Sequence, residues 1–488
     1  MKIYYPDDFG IAGTAYGTIN NATGESYVLS HDNWDGQLVP VVGEGAPFTV
    51  TASDTDVNFF QAGLPVASEC FSWTGSLASR RAGLVEDELL GQKHVAVYGD
   101  HVLAVEIGNS LLRTGIGCVR FIHTSEERVK ELRYINPKAE VSTAPHIPDD
   151  ADLLIATEPL PMDYSTALPV ISVGVHACKL GYDPAILQDV PGQAASPLDI
   201  AQAVSYAVRF ALDCLQKGVP QYVPMMGTYN AIEFAAKLKR LPHGKKIVMV
   251  GAGSMGSEVL KLLAGFPGLV RDVILIDDDI LAPHNLSRHV LDARSLGAYK
   301  VHALAERFRS PDLHITPYAC ELEDVDYDLL FTDADLILCT ADSERCNAEA
   351  CRVAKRLNIP FLSALVFERA FAGVLFWADG SEATVSYYDV FREKVDQETA
   401  RRHEALYMVN PDTADAHIQP GLQSAILCAA AFGTEAAINM LFNEKLLRED
   451  GSVMAQSIGK VIYTDPRLCG SAVFVRRRPG DVVTIKWE

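Results

Sequence analysis

The sequence predicts an α/β protein made of two doubly wound halves behind a small β-rich module. Two repeats and an ordinary globular composition carry that prediction. Residues 94–122 read HVAVYGDHVLAVEIGNSLLRTGIGCVRFI, and residues 246–276 read KIVMVGAGSMGSEVLKLLAGFPGLVRDVILI. Each is an apolar strand, a glycine-bearing turn, an amphipathic helix and a second apolar strand. Further on, DADLLIAT at 150–157 matches DADLILCT at 333–340. Each is followed by a Pro-led strand (PVIS from 169, PFLS from 360) and an apolar helix, predicted over 201–215 and 424–441. Strands alternating with helices imply parallel sheets with crossover helices on both faces. Four matching features in one order imply an internal duplication.

The 488 residues hold 42 Lys+Arg and 63 Asp+Glu, so the net charge is 42 − 63 = −21. That length suits two or three domains of about 150 residues. At 48% hydrophobic and 22% charged, the chain can bury a core and is too apolar for disorder. The acidic excess argues against nucleic-acid binding, which needs clustered Lys and Arg. No basic stretch followed by an apolar run opens the sequence, and no segment reaches about 18 uninterrupted apolar residues, so neither a signal peptide nor a membrane span is expected. The 10 cysteines are scattered and form no CxxC pair. They read as reduced thiols, and the expectation is a soluble cytoplasmic protein.

In chain order, residues 1–75 carry short alternating segments at 25–30 and 48–51 between Asn-, Asp- and Gly-rich turns. They predict a β-rich accessory module with no constellation for chemistry. Residues 76–225 form the first doubly wound half and residues 226–488 the second. Within the second, Gly251, Gly253 and Gly256 make a GxGxxG turn between strand and helix. Such a turn lets backbone N–H groups reach a phosphate at a helix N-terminus, as in Rossmann-like folds. In the first half His101 stands for Gly253 and Ala104 for Gly256, while Asp100 would repel a phosphate. His123 and Pro159 stand where the second half has Asp277 and Asp342. The first half thus keeps the fold and loses the ligand.

After the glycine turn come Asp277-Asp-Asp279, then Asn285-Leu-Ser-Arg288, then Gly297 and Lys300, then Asp342-Ser343. This series resembles the ThiF/MoeB and ubiquitin-activating enzyme superfamily, strongly over 246–380 and weakly over 80–220. The resemblance implies ATP-dependent adenylation of a carboxylate with release of pyrophosphate, a reaction driven by positioning and charge neutralisation. It implies that Asp277 holds the ribose hydroxyls, that Asn285, Arg288 and Lys300 contact the triphosphate, and that Asp342 holds Mg²⁺. Asp279 either orients Asn285 or caps the turn. His289, where relatives often carry Gln, receives no role. Members of this superfamily work as pairs in which one partner reaches an arginine into the other's ATP site. Arg80 or Arg81 is the candidate for that arginine, against an exposed basic pair opening a helix.

Many relatives hold zinc through two CxxC pairs. Here the four positions are Ser386, Asp389, Asp481 and Thr484, a set without thiolate or imidazole, so no zinc is expected. Relatives that pass on a ubiquitin-like protein hold it as a thioester on a cysteine of the crossover segment. No cysteine lies between Cys351 and Cys428. Cys428 sits in an apolar run and reads as core, and Cys339, Cys346 and Cys351 read as structural. Cys469, beside a glycine turn, is the remaining candidate nucleophile. The crossover segment, 381–421, is where the family cradles the tail of the activated protein.

The resemblance therefore implies a bacterial ubiquitin-like-protein-activating (E1-like) enzyme with a fused inactive adenylation half. Its substrate would be the C-terminal glycine of a ubiquitin-like protein, and its acceptor an E2-like conjugating enzyme. A role in bacterial conjugation or antiviral defence is suggested by analogy. The alternative is a peptide-adenylating maturation enzyme of the microcin or pantocin type, which needs no thioester. Neither reading calls for nucleic acid or membrane, and a homo-oligomer is compatible with both.

Overall fold

A computed structural model describes residues 84–217 except 137, 162–167, 176 and 188–194. It also describes residues 244–380 except 368–371, residues 421–442, and the backbone of strands outside these stretches. Near the start, β1 (Lys2–Tyr4), β2 (Tyr16–Ile19), β3 (Ser26–Leu29) and β4 (Val39–Pro40) pair antiparallel in that order. A second antiparallel sheet joins β5 (Thr49–Ala52), β6 (Val57–Gln61) and β7 (Leu64–Pro65). The alternating segments at 25–30 and 48–51 hold β3 and overlap β5.

The first half runs β8 (His94–Tyr98), α1 (Val102–Thr114), β9 (Cys118–Ile122), β10 (Glu140–Ala144), β11 (Leu153–Ala156), β12 (Val170–Val173), β13 (Cys178–Leu180) and α2 (Pro197–Lys217). The second runs β14 (Lys245–Val250), α3 (Ser254–Ala264), β15 (Val270–Ile276), α4 (Lys300–Arg307), β16 (His314–Tyr318), β17 (Leu336–Cys339), α5 (Glu344–Leu357), β18 (Phe361–Phe367), β19 (Ala372–Ala378) and α6 (Gln423–Leu441). Two further strands, β20 (Ile458–Tyr463) and β21 (Val482–Ile485), extend its sheet.

The sheet orders are β10-β9-β8-β11-β12-β13 and β16-β15-β14-β17-β18-β19-β20-β21. Counted from the first strand of each half, both read 3-2-1-4-5-6, parallel except for an antiparallel sixth strand. The two copies share one topology, as the repeats predict. In such sheets the order reverses between strands 1 and 4, and that opens a crevice at their carboxyl ends. In the second half the crevice lies between β14 and β17.

Alternation along the strands divides the core. Val95 and Val97 of β8, with Ile247 and Met249 of β14, face one continuous core shared by both halves. Ala96 and Tyr98 face a separate outer cluster, as do Val248 and Val250 on the other sheet. Helices α1, α2, α3 and α6 fill the shared layer through Leu111, Val204, Val259 and Ile426, among others. Helix α6 packs on both α2 and α3. It is long and apolar enough to cross a membrane by length and composition, yet 78% of its most apolar window is buried within the protein. Gln423, Ser424, Thr434 and Glu435 interrupt its apolar sequence. Two buried hydrogen bonds cross this layer: Ser205 Oγ donates to Ser424 O at 2.5 Å, and Gln423 Nε2 donates to Glu258 Oε1 at 2.6 Å. Burial pushes the Glu258 carboxyl above its usual range.

Candidate nucleotide site

At the end of β14 the chain turns through Gly251, Ala252 and Gly253 into α3. Gly251 has φ +96°, and a Cβ there would lie 2.6 Å from Ala341 N. A Cβ on Gly256 would lie 2.2 Å from Gly251 O and 2.5 Å from Thr340 Oγ1. These two glycines are demanded by the packing of turn against helix and of turn against the end of β17. Gly253 differs, because a Cβ there would meet nothing within 4 Å. It is the N-cap of α3 and brings no side chain to the helix end. The space beside this cap is open, and a helix N-terminus with orphan N–H groups is suited to an anion.

Thr340 ties the crevice together. Its hydroxyl donates to Gly251 O at 2.7 Å, and its amide donates to Val250 O at 2.7 Å. Asp342 follows two residues later and is exposed. Ser343 then caps α5, its hydroxyl accepting from Cys346 N at 3.3 Å.

Asp277 directly follows β15. Its Oδ2 accepts from Ala252 N at 2.7 Å and its Oδ1 from Asp279 N at 3.0 Å, so the carboxylate sits against the glycine turn. Burial pushes its pKa up to about 6, with Lys300 opposing the rise and Asp279 adding to it. Lys300 opens α4 and is 4% exposed. Its Nζ lies 2.5 Å from Asp279 Oδ2, and its amide donates to Asp279 O at 3.0 Å. The structure adds a further role for Asp279, which anchors Lys300. The Asn285 carboxamide is occupied locally, with Oδ1 accepting from Ala282 N at 2.9 Å. Asn285 O accepts from Arg288 N at 2.9 Å and His289 N at 2.8 Å, which curls the Asn285-Leu-Ser-Arg288 arm into a tight turn.

His289 holds that arm against the glycine loop. It is fully buried, its Nδ1 accepts from Leu291 N at 3.2 Å, and its Nε2 lies 2.8 Å from Ala252 O. Since Nδ1 accepts, Nε2 carries the proton and donates. Burial, then the Lys300 charge, holds the imidazole pKa down to about 3, so it stays neutral. Asp277 and His289 therefore grip Ala252 from its N–H and its C=O. The sequence offered no signal for the role of His289. For Thr340 it did, because Thr157 ends the matching segment of the first copy.

In that copy the turn survives and the opening is filled. Gly99 has φ +136°, and a Cβ there would lie 2.3 Å from Thr157 Oγ1, just as Gly251 meets Thr340 and Ala341. His101, in place of Gly253, is 8% exposed, with Nε2 3.2 Å from Thr157 O. Asp100 N donates to Glu158 Oε1 at 3.1 Å, and the Asp100 carboxylate pairs with Arg128 at 3.2 Å. Tyr98 stacks on His123 with centroids 4.8 Å apart. His101 thus places a buried side chain where the second half has the bare Gly253.

The structure brings together Gly251, Gly253, Gly256, Asp277, Asp279, Asn285, Lys300 and the segments carrying Arg288 and Asp342. Arg80, Arg81, Cys469, Ser386, Asp389, Asp481 and residues 381–420 of the crossover segment lie outside the described residues. Thr484 falls in β21, opposite Lys460. None of the eight described cysteines is exposed. Cys428 is 2% exposed, and burial pushes its thiol up to about 12. It is core, as its apolar surroundings predict.

Residues 229–444 match the ThiF family. Over 80 residues the chain is 40% identical to an ATP-dependent ubiquitin transferase-like protein Cap2 from Enterobacter hormaechei subsp. hoffmannii, covering 16% of this chain and 13% of that one. Over 124 residues it is 30% identical to an adenylyltransferase and sulfurtransferase UBA4 from Yarrowia lipolytica, covering 25% and 31%. The chain thus spans less than a third of either relative. The second half is thus similar to the ThiF family, and parts of the chain resemble E1-like proteins of the ThiF/MoeB kind.

Proposed function

We propose that the second half binds ATP and uses it to adenylate the C-terminal glycine of a ubiquitin-like protein, which then passes to an E2-like conjugating enzyme in a bacterial conjugation or antiviral defence pathway. The observation that carries this reading is the convergence of Asp277, Lys300 and the Asn285–Arg288 arm on an open glycine turn. The triphosphate lies along the α3 N-terminus, where backbone N–H groups meet its oxygens. Asp277 accepts hydrogen bonds from the ribose hydroxyls. A carboxylate oxygen of the glycine attacks the α-phosphorus, the bond from that phosphorus to the bridging oxygen breaks, and pyrophosphate leaves. Both reactants are anionic, so Lys300 and Arg288 supply the cations that let them approach. Asp279 holds the Lys300 ammonium beside the site, and phosphate oxygens share it once nucleotide is bound.

Among the described residues no three His, Cys, Asp or Glu side chains cluster as a closed metal site. The exposed carboxylate of Asp342 suits Mg²⁺ nonetheless, because that ion is held by one or two carboxylates together with phosphate oxygens and water. Bound there, Mg²⁺ neutralises charge on the phosphates.

ATP–pyrophosphate exchange that appears only with the small protein partner supports the proposal. Arg288→Ala and Asp342→Ala are expected to lower that exchange by at least 100-fold. Unchanged exchange in both variants sinks it. A second reading keeps the adenylation and replaces the substrate with a short peptide that is matured without a thioester. It is favoured by the absence of any exposed cysteine among those described. A covalent adduct with the small protein, released by a thiol reductant, selects the first reading.

A further inference from the structure

We infer that Arg113, in the half without a nucleotide site, is a positioning residue that presents Asn285 and Arg288 of the other half to ATP. The inference rests on the nucleotide site proposed above and adds a role for the inactive half. Arg113 lies in the last turn of α1, where the helix dipole favours a cation, and is 2% exposed. Its Nη1 donates to Leu286 O at 2.7 Å and to Leu291 O at 3.2 Å, and its Nη2 donates to Val290 O at 3.1 Å. Nε is held from behind by Asn109 Oδ1 at 2.9 Å. Asn109 in turn donates to Glu106, whose carboxylate pairs with Lys261 of α3 at 2.5 Å.

The three carbonyls bracket Ser287, Arg288 and His289, of which Arg288 alone is partly exposed. A single planar guanidinium therefore fixes both ends of the arm, 173 residues away in sequence. His289 fixes its middle through Ala252. No cation from the second half makes these bonds among the described residues, so the arm depends on the first half for its shape. Glu258, Asp292 and Glu106 face Arg113 with negative charge and Arg307 with positive charge, and burial lowers its pKa only to about 10, so it remains a cation at neutral pH. The fork geometry matters, because one lysine ammonium is a compact point charge and cannot reach carbonyls on both sides of the arm.

The test titrates MgATP into the full chain by calorimetry for wild type, Arg113→Lys and Arg113→Ala, with hydrogen exchange over 286–291. Arg113→Lys is expected to fold, to bind MgATP at least tenfold more weakly, about 1.4 kcal/mol, and to exchange 286–291 faster while α3 stays protected. A merely structural arginine would lower the melting temperature and leave the affinity of the folded protein unchanged. Wild-type affinity in both folded variants overturns the proposal. So does rapid exchange of 286–291 in nucleotide-free wild type, a measurement that stands even if neither variant folds. Wild type that binds no MgATP sinks the nucleotide reading instead, and exchange still decides the pinning.

Discussion

Gly253 and His289 separate what the site needs from what the fold needs. At Gly253 the backbone is in an ordinary region (φ −70°) and a methyl group has room. Gly253→Ala is therefore expected to melt within a degree or two of wild type while binding MgATP at least tenfold more weakly, because the methyl group would occupy the phosphate space. Paired calorimetric titration and thermal denaturation check this, and undiminished affinity would remove the phosphate from the helix end. His289 tests the fold. Its folded pKa of about 3 lies below the unfolded value of 6.5, so between those values only the unfolded chain takes up the proton. Stability is therefore lost as pH falls below 6.5, by about 1.4 kcal/mol from this residue at pH 5.5. His289→Gln should abolish that share of the loss, since an amide can still donate to Ala252 O and does not titrate. Denaturant melts at pH 7 and 5.5 on both proteins isolate the difference.

At the scale of elements, the crevice is held open by few contacts between β14, β17 and α3. Thr340 stands at their junction, 6% exposed, with its hydroxyl on Gly251 O. Thr340→Val keeps the shape and removes the donor, leaving a buried carbonyl short of a partner at a cost of about 1–3 kcal/mol. The expected outcome is a lower denaturation midpoint with an unchanged slope, together with weaker MgATP binding, as the turn loosens. The matching Thr157 donates to Tyr98 O at 2.7 Å, as Thr340 does to Val250 O at 3.3 Å, so both copies tie the end of the fourth strand to the end of the first.

For the whole molecule, the two halves share a core layer, and α6 belongs to both through α2 and α3. An isolated fragment 226–488 would expose the α6 face that α2 covers. Such a fragment is expected to lack a cooperative thermal transition and to bind a hydrophobic dye, whereas both halves of the full chain melt together. Scanning calorimetry of the two species tests this, and a well-folded fragment with a sharp transition would show that the halves are independent. The same shared layer is what brings Arg113 of the first half to the 286–291 arm of the second. The first half thus contributes to that arm as well as to the core.

The sequence alone determined the duplication, the order of elements in each half, the open glycine turn and the series from Asp277 to Asp342. These are legible because strand and helix periods, turn glycines and motif spacing are local properties of the chain. The sequence also shows that His101 and Ala104 replace two turn glycines in the first copy, and a side chain takes up space wherever the turn forms. Only the tertiary structure decided that Asp279 holds Lys300, that His289 and Asp277 grip Ala252 from both sides, and that Arg113 fastens the arm carrying Arg288. Those contacts join residues from 21 to 178 positions apart. Their partners follow from how two sheets and four helices pack into one layer, and no spacing along the chain encodes that.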